Sequence, residues 1–309
     1  MPTVVLLGPQ RFAPTLGQAV ARSGVRGRLA SVTAGWQERE AEDLELHEHL
    51  GGRTVNLMLY SRGEDVFERD PDLAVAYRER QARLRELQDL YRTRLGYAQG
   101  ALRELEERRG DPALLGPEKE AALTAIRAID EHHLRRVAAL HAGFEARWAP
   151  SGRPALARHL RQIEQALEGV EGLAIAGGHV AILLNRLRLF GVADRLGERA
   201  VFAWSAGAMA IAERVVLFHH FPPQGYGNTE VLENGLALAR GVVPLPHARR
   251  RLALDDRRRV ALLARRFAPA VCVAMGDGGW MIDEGAGWEP GPGMSRLAGD
   301  GSVDPLEAA

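Results

Sequence analysis

A serine stands between an apolar run and a run of small residues at positions 201–210 (VFAWSAGAMA). This order predicts a strand that ends at Ser205, a sharp backbone turn there, and a helix that begins directly behind it. So tight a turn requires small residues around the serine, and Ala203 and Gly207 meet that requirement. The free N–H groups of the helix would face the negative charge that develops on a substrate oxygen. Ser205 is therefore a candidate nucleophile, and the alternative is a plain turn with Ser205 as the helix cap.

A nucleophilic serine needs a base within hydrogen-bond reach, and the chain offers ten histidines. Surface positions in predicted helices are the simpler explanation for four of them, His47, His49, His132 and His133, and His141 and His159 are isolated residues of predicted helices. The remaining candidates follow Ser205 in predicted loops or end a predicted strand. Among these, His247 is the preferred base because Pro244 and Pro246 stiffen the backbone around it.

A second turn with possible chemistry lies at positions 172–179 (GLAIAGGH). A predicted strand ends there in the pair Gly177 and Gly178, and a helix is predicted over 180–190. Glycines allow backbone N–H groups to approach a ligand closely. Their simpler role is to permit the tight turn between strand and helix.

These residues must be positioned by the elements around them. Short apolar runs at 3–7, 27–33 and 54–60 are separated by helical segments, which predicts an α/β fold with a parallel sheet and helices on both faces. Ligand sites in such sheets lie beyond the carboxyl ends of the strands. The loops that follow these three runs, after Leu7, Val32 and Tyr60, are therefore candidate walls of the site. Later strands are predicted at 214–218, 270–275 and 279–283, and the Gly-rich tail after Pro290 is expected to be frayed.

The composition changes over residues 71–150. Two long amphipathic stretches rich in Arg, Glu and Leu are separated by a Gly/Pro break at 110–117, which predicts an antiparallel helical hairpin. We interpret this hairpin as an insertion between two parts of one α/β domain, 1–70 and 151–309. Its charged faces are expected to be solvated, and its long stripe leaves open a homo-oligomer formed through the insertion.

The whole-chain composition narrows the class of protein. The 309 residues are 46% hydrophobic, and 40 basic residues balance 40 acidic ones. Global charge therefore gives no argument for a nucleic-acid or membrane partner. The chain has one cysteine, Cys272, which excludes an internal disulfide and suits a reducing compartment. No run of about 18 apolar residues and no signal peptide are recognisable, so we expect a cytoplasmic protein.

Four ordered segments resemble the dipeptidase E and cyanophycinase group of serine hydrolases. They are Ala174-Ile-Ala-Gly-Gly-His179, Trp204-Ser-Ala-Gly-Ala208, Val243-Pro-Leu-Pro-His247 and Ala274-Met-Gly-Asp-Gly-Gly-Trp-Met-Ile282. The resemblance covers about residues 170–290, and the N-terminal strands loosely, but not the helical insertion. It implies a class I glutamine amidotransferase-like fold, a three-layer sandwich with a mainly parallel central sheet.

Carried over by position, the resemblance implies that Ser205 is the nucleophile and His247 the general base. The N–H groups of Ala206 and Gly178 would form the oxyanion hole. Residues expected to bind substrate around them are Gly177, His179 and His220.

The chain departs from the family pattern at two places. His179 stands where an asparagine is usual, and His219 and His220 stand where an aspartate of the triad is expected. Glu230 is the preferred replacement for that acid, because it lies on the same predicted loop. The alternatives are Glu213, Glu233, or a contact between His220 and His247.

The four histidines at these positions could together attract a metal ion. Imidazoles are good zinc ligands, but the spacing of His179, His219, His220 and His247 has no zinc signature. We therefore expect neither a metal nor another cofactor.

The sequence predicts a serine-type peptidase or amide hydrolase that acts on a small peptide or other amide through an acyl-enzyme. The alternative is a catalytically impaired relative, used for binding or assembly, because the expected acid is missing. Amide transfer is disfavoured, since amidotransferases of this fold carry cysteine at the elbow and Cys272 falls in a buried strand. The arginines at 249–251 could bind a substrate carboxylate, although a solvated turn is the simpler interpretation.

Overall fold

A computed structural model describes residues 2–218 and 227–306 of the chain. Its α-helices are, in chain order, α1 (Leu16–Arg22), α2 (Leu44–His49), α3 (Leu59–Arg69), α4 (Pro71–Glu107), α5 (Pro112–Trp148), α6 (Pro154–Ala166), α7 (Val180–Leu189), α8 (Ala206–Ile211), α9 (Ala248–Arg251) and α10 (Arg257–Phe267). Its strands are β1 (Val4–Leu7), β2 (Arg28–Val32), β3 (Thr54–Asn56), β4 (Val170–Ile175), β5 (Ala200–Trp204), β6 (Arg214–Leu217), β7 (Glu230–Asn234), β8 (Val242–Pro246), β9 (Val271–Met275), β10 (Trp280–Asp283), β11 (Trp288–Pro290), β12 (Met294–Leu297) and β13 (Val303–Pro305).

The central sheet has the strand order β11-β10-β1-β5-β4-β2-β3 in the described part of the chain. Strands β1, β5, β4, β2 and β3 run parallel to one another, whereas β10 pairs antiparallel with β1, and β11 pairs antiparallel with β10 at the edge. The prediction of a mainly parallel sheet is confirmed. The strands are apolar and largely buried, and parallel strands of this kind need helices packed on both faces of their sheet.

The two faces of this sheet have separate hydrophobic cores. Along β1, Val4 and Leu6 point into the core that contains α3, α6 and α7, whereas Val5 and Leu7 point into the core that contains α1. This alternation follows from the two-residue period of a strand. Helices thus cover both faces, and the predicted three-layer sandwich is confirmed.

Strand β3 is shorter than the predicted run at 54–60. It ends at Asn56, whose side chain accepts a hydrogen bond from the Met58 N–H at 3.0 Å. The buried Glu40 then accepts hydrogen bonds from the N–H groups of Tyr60 and Ser61, both at 2.8 Å. A carboxylate in this position satisfies the free donors of a helix N-terminus, so the chain enters α3 instead of extending the strand.

A second sheet has the order β13-β12-β9-β8, in which β8 and β9 are parallel. Strands β12 and β13 come from the tail that was expected to be frayed, so that prediction is wrong. Met294 and Leu297 explain the order in this segment, because both side chains are buried in the larger core.

The predicted helical hairpin is present as α4 and α5. Each helix begins with an aspartate cap and a proline: Asp70 before Pro71, and Asp111 before Pro112. The hairpin shares the core of α3, α6 and α7 rather than enclosing one of its own. The surface position expected for His133 is wrong, since this side chain is buried between the hairpin and β7.

Of the helices in residues 2–218 and 227–306, none is both long enough and apolar enough to span a bilayer.

Candidate active site

Ser205 stands at the sharp turn between β5 and α8, as predicted. Its backbone angles are φ 51° and ψ −121°, the conformation of the first central residue in a type II′ turn, which favours glycine. Strain of this kind persists where the surrounding structure enforces it, often at functional sites. Gly207 is required here because a Cβ at that position would collide with the carbonyl of Ile175.

His247 lies beside this serine although it belongs to a different sheet. It follows β8 of the second sheet in a left-handed conformation, with φ 57° and ψ 29°. Its Nε2 atom is 3.3 Å from Ser205 Oγ, a distance that suits a nucleophile and its base before substrate binds. The structure therefore brings together the two residues that the sequence paired.

The environment of His247 keeps the imidazole in its basic form. Burial lowers its pKa, and the charges of Arg251 and Arg250 lower it further, whereas Asp277 acts in the opposite direction. A neutral imidazole at neutral pH is the form that accepts a proton from a serine.

Asp277 is an acid that the sequence reasoning did not assign to the site. It lies on the turn after β9 and lines, together with His247, a cavity of about 610 Å³ on the side of the second sheet. No carboxylate in residues 2–218 or 227–306 forms a hydrogen bond with the His247 ring. Asp277 therefore acts on His247 through its charge. The motif at 274–282 contained this residue, but its nearness to His247 depends on the pairing of β8 with β9.

Glu230 does not take the predicted role of the third catalytic member. It begins β7, and its Oε2 atom accepts hydrogen bonds from Arg92 Nε at 2.8 Å and Gln88 Nε2 at 3.0 Å. The predicted loop is a strand at this point, and its carboxylate is held by α4 of the hairpin. Glu230 is therefore a structural contact in this fold.

The glycine turn packs directly against Ser205. A Cβ on Gly177 would lie 2.8 Å from the Cβ of Ser205, and Gly178 has a φ of 110° that favours glycine. Within the described residues, the N–H groups of Gly178 and Ala206 donate to no acceptor. Both donors border the cleft above Ser205 and are available to a substrate oxygen.

The two histidines expected to bind substrate give different outcomes. His179 caps α7, since its Nδ1 atom accepts the N–H of Ile182 at 3.3 Å, and it does not line the cleft. His220 and the neighbouring His219 lie outside the described residues.

The cleft beside Ser205 and His247 has a volume of about 780 Å³, and both residues line it. The loops after β1 and β2 form walls of it, as predicted, but Tyr60 lies in α3 and not beside the cleft. Other residues that line it are Gln10, Arg11, Trp36, Arg39, Glu42, Leu46, His49, Val180, Trp204, Met209, Leu217, Phe218 and Arg251. Trp36 was not named as a site residue from the sequence because only the fold places it there. Arg251, one of the three arginines considered for a substrate carboxylate, does line the cleft.

The described residues also bear on two other chemistries, a metal site and a thiol nucleophile. The described part of the chain contains no group of three or more His, Cys, Asp or Glu side chains placed to hold a metal ion. Cys272 lies in β9, where burial raises the pKa of its thiol to about 12. A thiol with so high a pKa stays protonated and unreactive.

Comparisons with known proteins add little to this geometry. A scan of protein-family models finds no match, and neither does a search of curated proteins. One solved structure with a similar chain trace is a peptidase from an acI-B1 Actinobacterium, at a TM-score of 0.48 and 12% sequence identity, with 100% of this chain and 95% of that chain covered. At this level of similarity, function has to follow from the site itself.

Proposed function

We propose that this protein is a serine hydrolase that cleaves a peptide or another amide through an acyl-enzyme. Ser205 Oγ attacks the substrate carbonyl while His247 Nε2 takes the hydroxyl proton. His247 then gives that proton to the leaving amine, and water, activated by the same imidazole, releases the acid product.

The observation that carries this proposal is the 3.3 Å contact between Ser205 Oγ and His247 Nε2 at a strained turn in the cleft. Ser205 does not act as a plain helix cap, because its side chain forms no capping hydrogen bond to α8. The N–H groups of Ala206 and Gly178 are our candidates for the oxyanion hole. The charge of Asp277 would stabilise the imidazolium that forms during proton transfer.

A fluorophosphonate probe tests the mechanism directly. Ser205 Oγ forms a bond to phosphorus, fluoride leaves, and His247 takes the proton, so the reaction needs both residues. We expect the Ser205→Ala variant to lose labelling and the His247→Ala variant to react at least about 10³-fold more slowly. The matched control is Ser151→Ala, an exposed serine between α5 and α6, which should be labelled at the wild-type rate. Absence of labelling in the folded wild-type protein would refute the proposal.

A second candidate function is ligand binding without catalysis. One observation favours it: in the described residues, the His247 ring is hydrogen-bonded to Ser205 and to no carboxylate. A poorly oriented imidazole costs orders of magnitude in rate. This candidate predicts that the wild-type protein binds peptides, for example in calorimetry with a peptide mixture, yet shows neither labelling nor turnover.

A further inference from the structure

The loop after β2 reaches the nucleophile through backbone packing. The carbonyl of Gly35 accepts the N–H of His179 at 2.8 Å, and a Cβ on Gly35 would collide with the carbonyl of Gly177. Gly177 in turn packs against Ser205. Trp36, the next residue of the loop, is therefore placed at the cleft by a short chain of close backbone contacts.

The same loop contains a second strained residue. Gln37 has φ 59° and ψ −124°, nearly the angles of Ser205, and this conformation again favours glycine. Buried polar contacts hold the loop in place: Thr33 Oγ1 donates to the carbonyl of Glu40 at 2.9 Å, and the Glu40 carboxylate binds the first turn of α3. These contacts hold the backbone on either side of Trp36, which lowers the entropy cost of binding a group at its side chain.

The side chain of Trp36 gives the cleft an aromatic wall. It is partly exposed and packs against the core that includes Leu16 and Trp204, as Leu46 also does. All four of these residues line the cleft. Such a surface favours an apolar or aromatic group, because the group leaves water without losing hydrogen bonds.

The two charged residues of this loop that line the cleft pair with each other. Arg39 Nη2 lies 2.6 Å from Glu42 Oε2, so the two side chains neutralise each other at the cleft rim. The indole N–H of Trp36 donates to no described residue and can donate to a polar atom of a substrate.

We propose that Trp36 determines specificity, and that the substrate carries a bulky apolar or aromatic group which packs against it. This inference rests on the proposed serine hydrolase function, because the group is recognised while its neighbouring carbonyl is held at Ser205. It names the class of substrate that the mechanism alone leaves open.

The test uses two fluorophosphonate probes that differ only in the substituent on phosphorus, methyl or phenylethyl. The measured quantity is the ratio of their second-order labelling rate constants. We expect the wild-type ratio to favour phenylethyl, and Trp36→Ala to lower that ratio about tenfold or more. Trp36→Phe retains an aromatic face and should keep most of the preference. The matched control is Tyr97→Ala, an aromatic residue on α4 that is 80% exposed, which should leave the ratio unchanged.

The outcomes separate this inference from the mechanism beneath it. Labelling by both probes with no preference, or an unchanged ratio in Trp36→Ala, overturns the role of Trp36. A stronger preference for a third probe with a carboxylate substituent, lost in Arg251→Gln, would also overturn it and assign recognition to that arginine. No labelling by any probe refutes the hydrolase proposal instead. If Trp36→Ala does not fold, the ratio in Trp36→Leu decides: leucine is smaller and has no aromatic face, so the ratio should fall, and an unchanged ratio overturns the role of Trp36.

Discussion

Two polar clusters in this molecule are built on opposite principles. Where the hairpin meets α10, Arg266 donates to both carboxylate oxygens of Asp130, at 2.7 and 2.6 Å, and to Tyr91 Oη at 2.9 Å. Tyr91 also donates to Asp130 at 2.8 Å. In the active-site cleft, Ser205 and His247 share a single hydrogen bond of 3.3 Å.

The difference lies in how completely the polar groups are satisfied. In the hairpin cluster, the donors and acceptors of three buried side chains are used within the protein, which fixes the packing of α4, α5 and α10. In the cleft, the indole N–H of Trp36 and the backbone N–H groups of Gly178 and Ala206 donate to no described acceptor. The turn that carries Ser205 is also strained. Unused donors and strain reduce stability, and they are the features that a substrate can use.

The largest effect on stability should come from breaking the hairpin cluster. Asp130→Asn preserves the shape of the side chain but leaves the buried guanidinium of Arg266 without its counter-charge. We expect the free energy of unfolding to fall by about 3–5 kcal/mol, measured by urea titration. The matched control is Glu120→Gln on the same helix, because Glu120 binds Arg265 at the surface, 66% exposed, and its loss should matter far less.

The same variant also tests whether the two clusters are independent. Below its unfolding transition, Asp130→Asn should react with the fluorophosphonate at the wild-type rate, since the cluster does not touch the cleft. A loss of labelling in the folded variant would contradict this separation. Equal destabilisation by Asp130→Asn and Glu120→Gln would contradict the importance given to the buried ion pair.

A smaller effect on stability is expected at Ser205, where one substitution should be more stable than another. Ser205→Gly should be more stable than Ser205→Ala by about 1 kcal/mol, because glycine adopts the positive φ of this turn without strain. The measurement is the midpoint of thermal or urea unfolding for the two variants. Ser295 in β12 has no positive φ and is the matched control: glycine there should be less stable than alanine. If the stability difference between the glycine and alanine variants had the same sign at both positions, strain at Ser205 would not explain it.

The two clusters also differ in how far the sequence predicts them. Ser205 and His247 were predicted because each belongs to a short local motif: a small-residue turn after a strand, and a histidine after prolines. The glycines at 177 and 178 were predicted for the same reason. The parallel sheet followed from buried apolar runs, whose period is also local.

The hairpin cluster could not be predicted in this way. Asp130 and Arg266 are separated by 136 positions, and in an amphipathic helix each resembles any other charged residue. Glu230 was misassigned for the same reason, since its position beside Arg92 depends on how α4 packs on β7. Trp36 and Asp277 required the strand order to be known. Local sequence patterns therefore indicated Ser205 and His247, whereas long-range pairing of strands and helices determines which other residues lie around them.

The smallest effect concerns the pH dependence of the reaction and tests how the surroundings tune the site. His247 must be neutral to accept a proton, so labelling should increase as the pH rises through its pKa, which lies below the ordinary value for histidine. Removing a nearby cation favours the imidazolium, so Arg251→Gln should raise this pKa and move the midpoint of the pH–rate profile upward. Asp277→Asn removes an anion and should move the midpoint downward. The control is Arg258→Gln, which removes a surface ion pair with Glu107 and should leave the midpoint in place. If Arg251→Gln and Asp277→Asn shifted the profile in the same direction, or neither shifted it, the assigned charges would not control His247, because opposite charges must act on one imidazole with opposite signs.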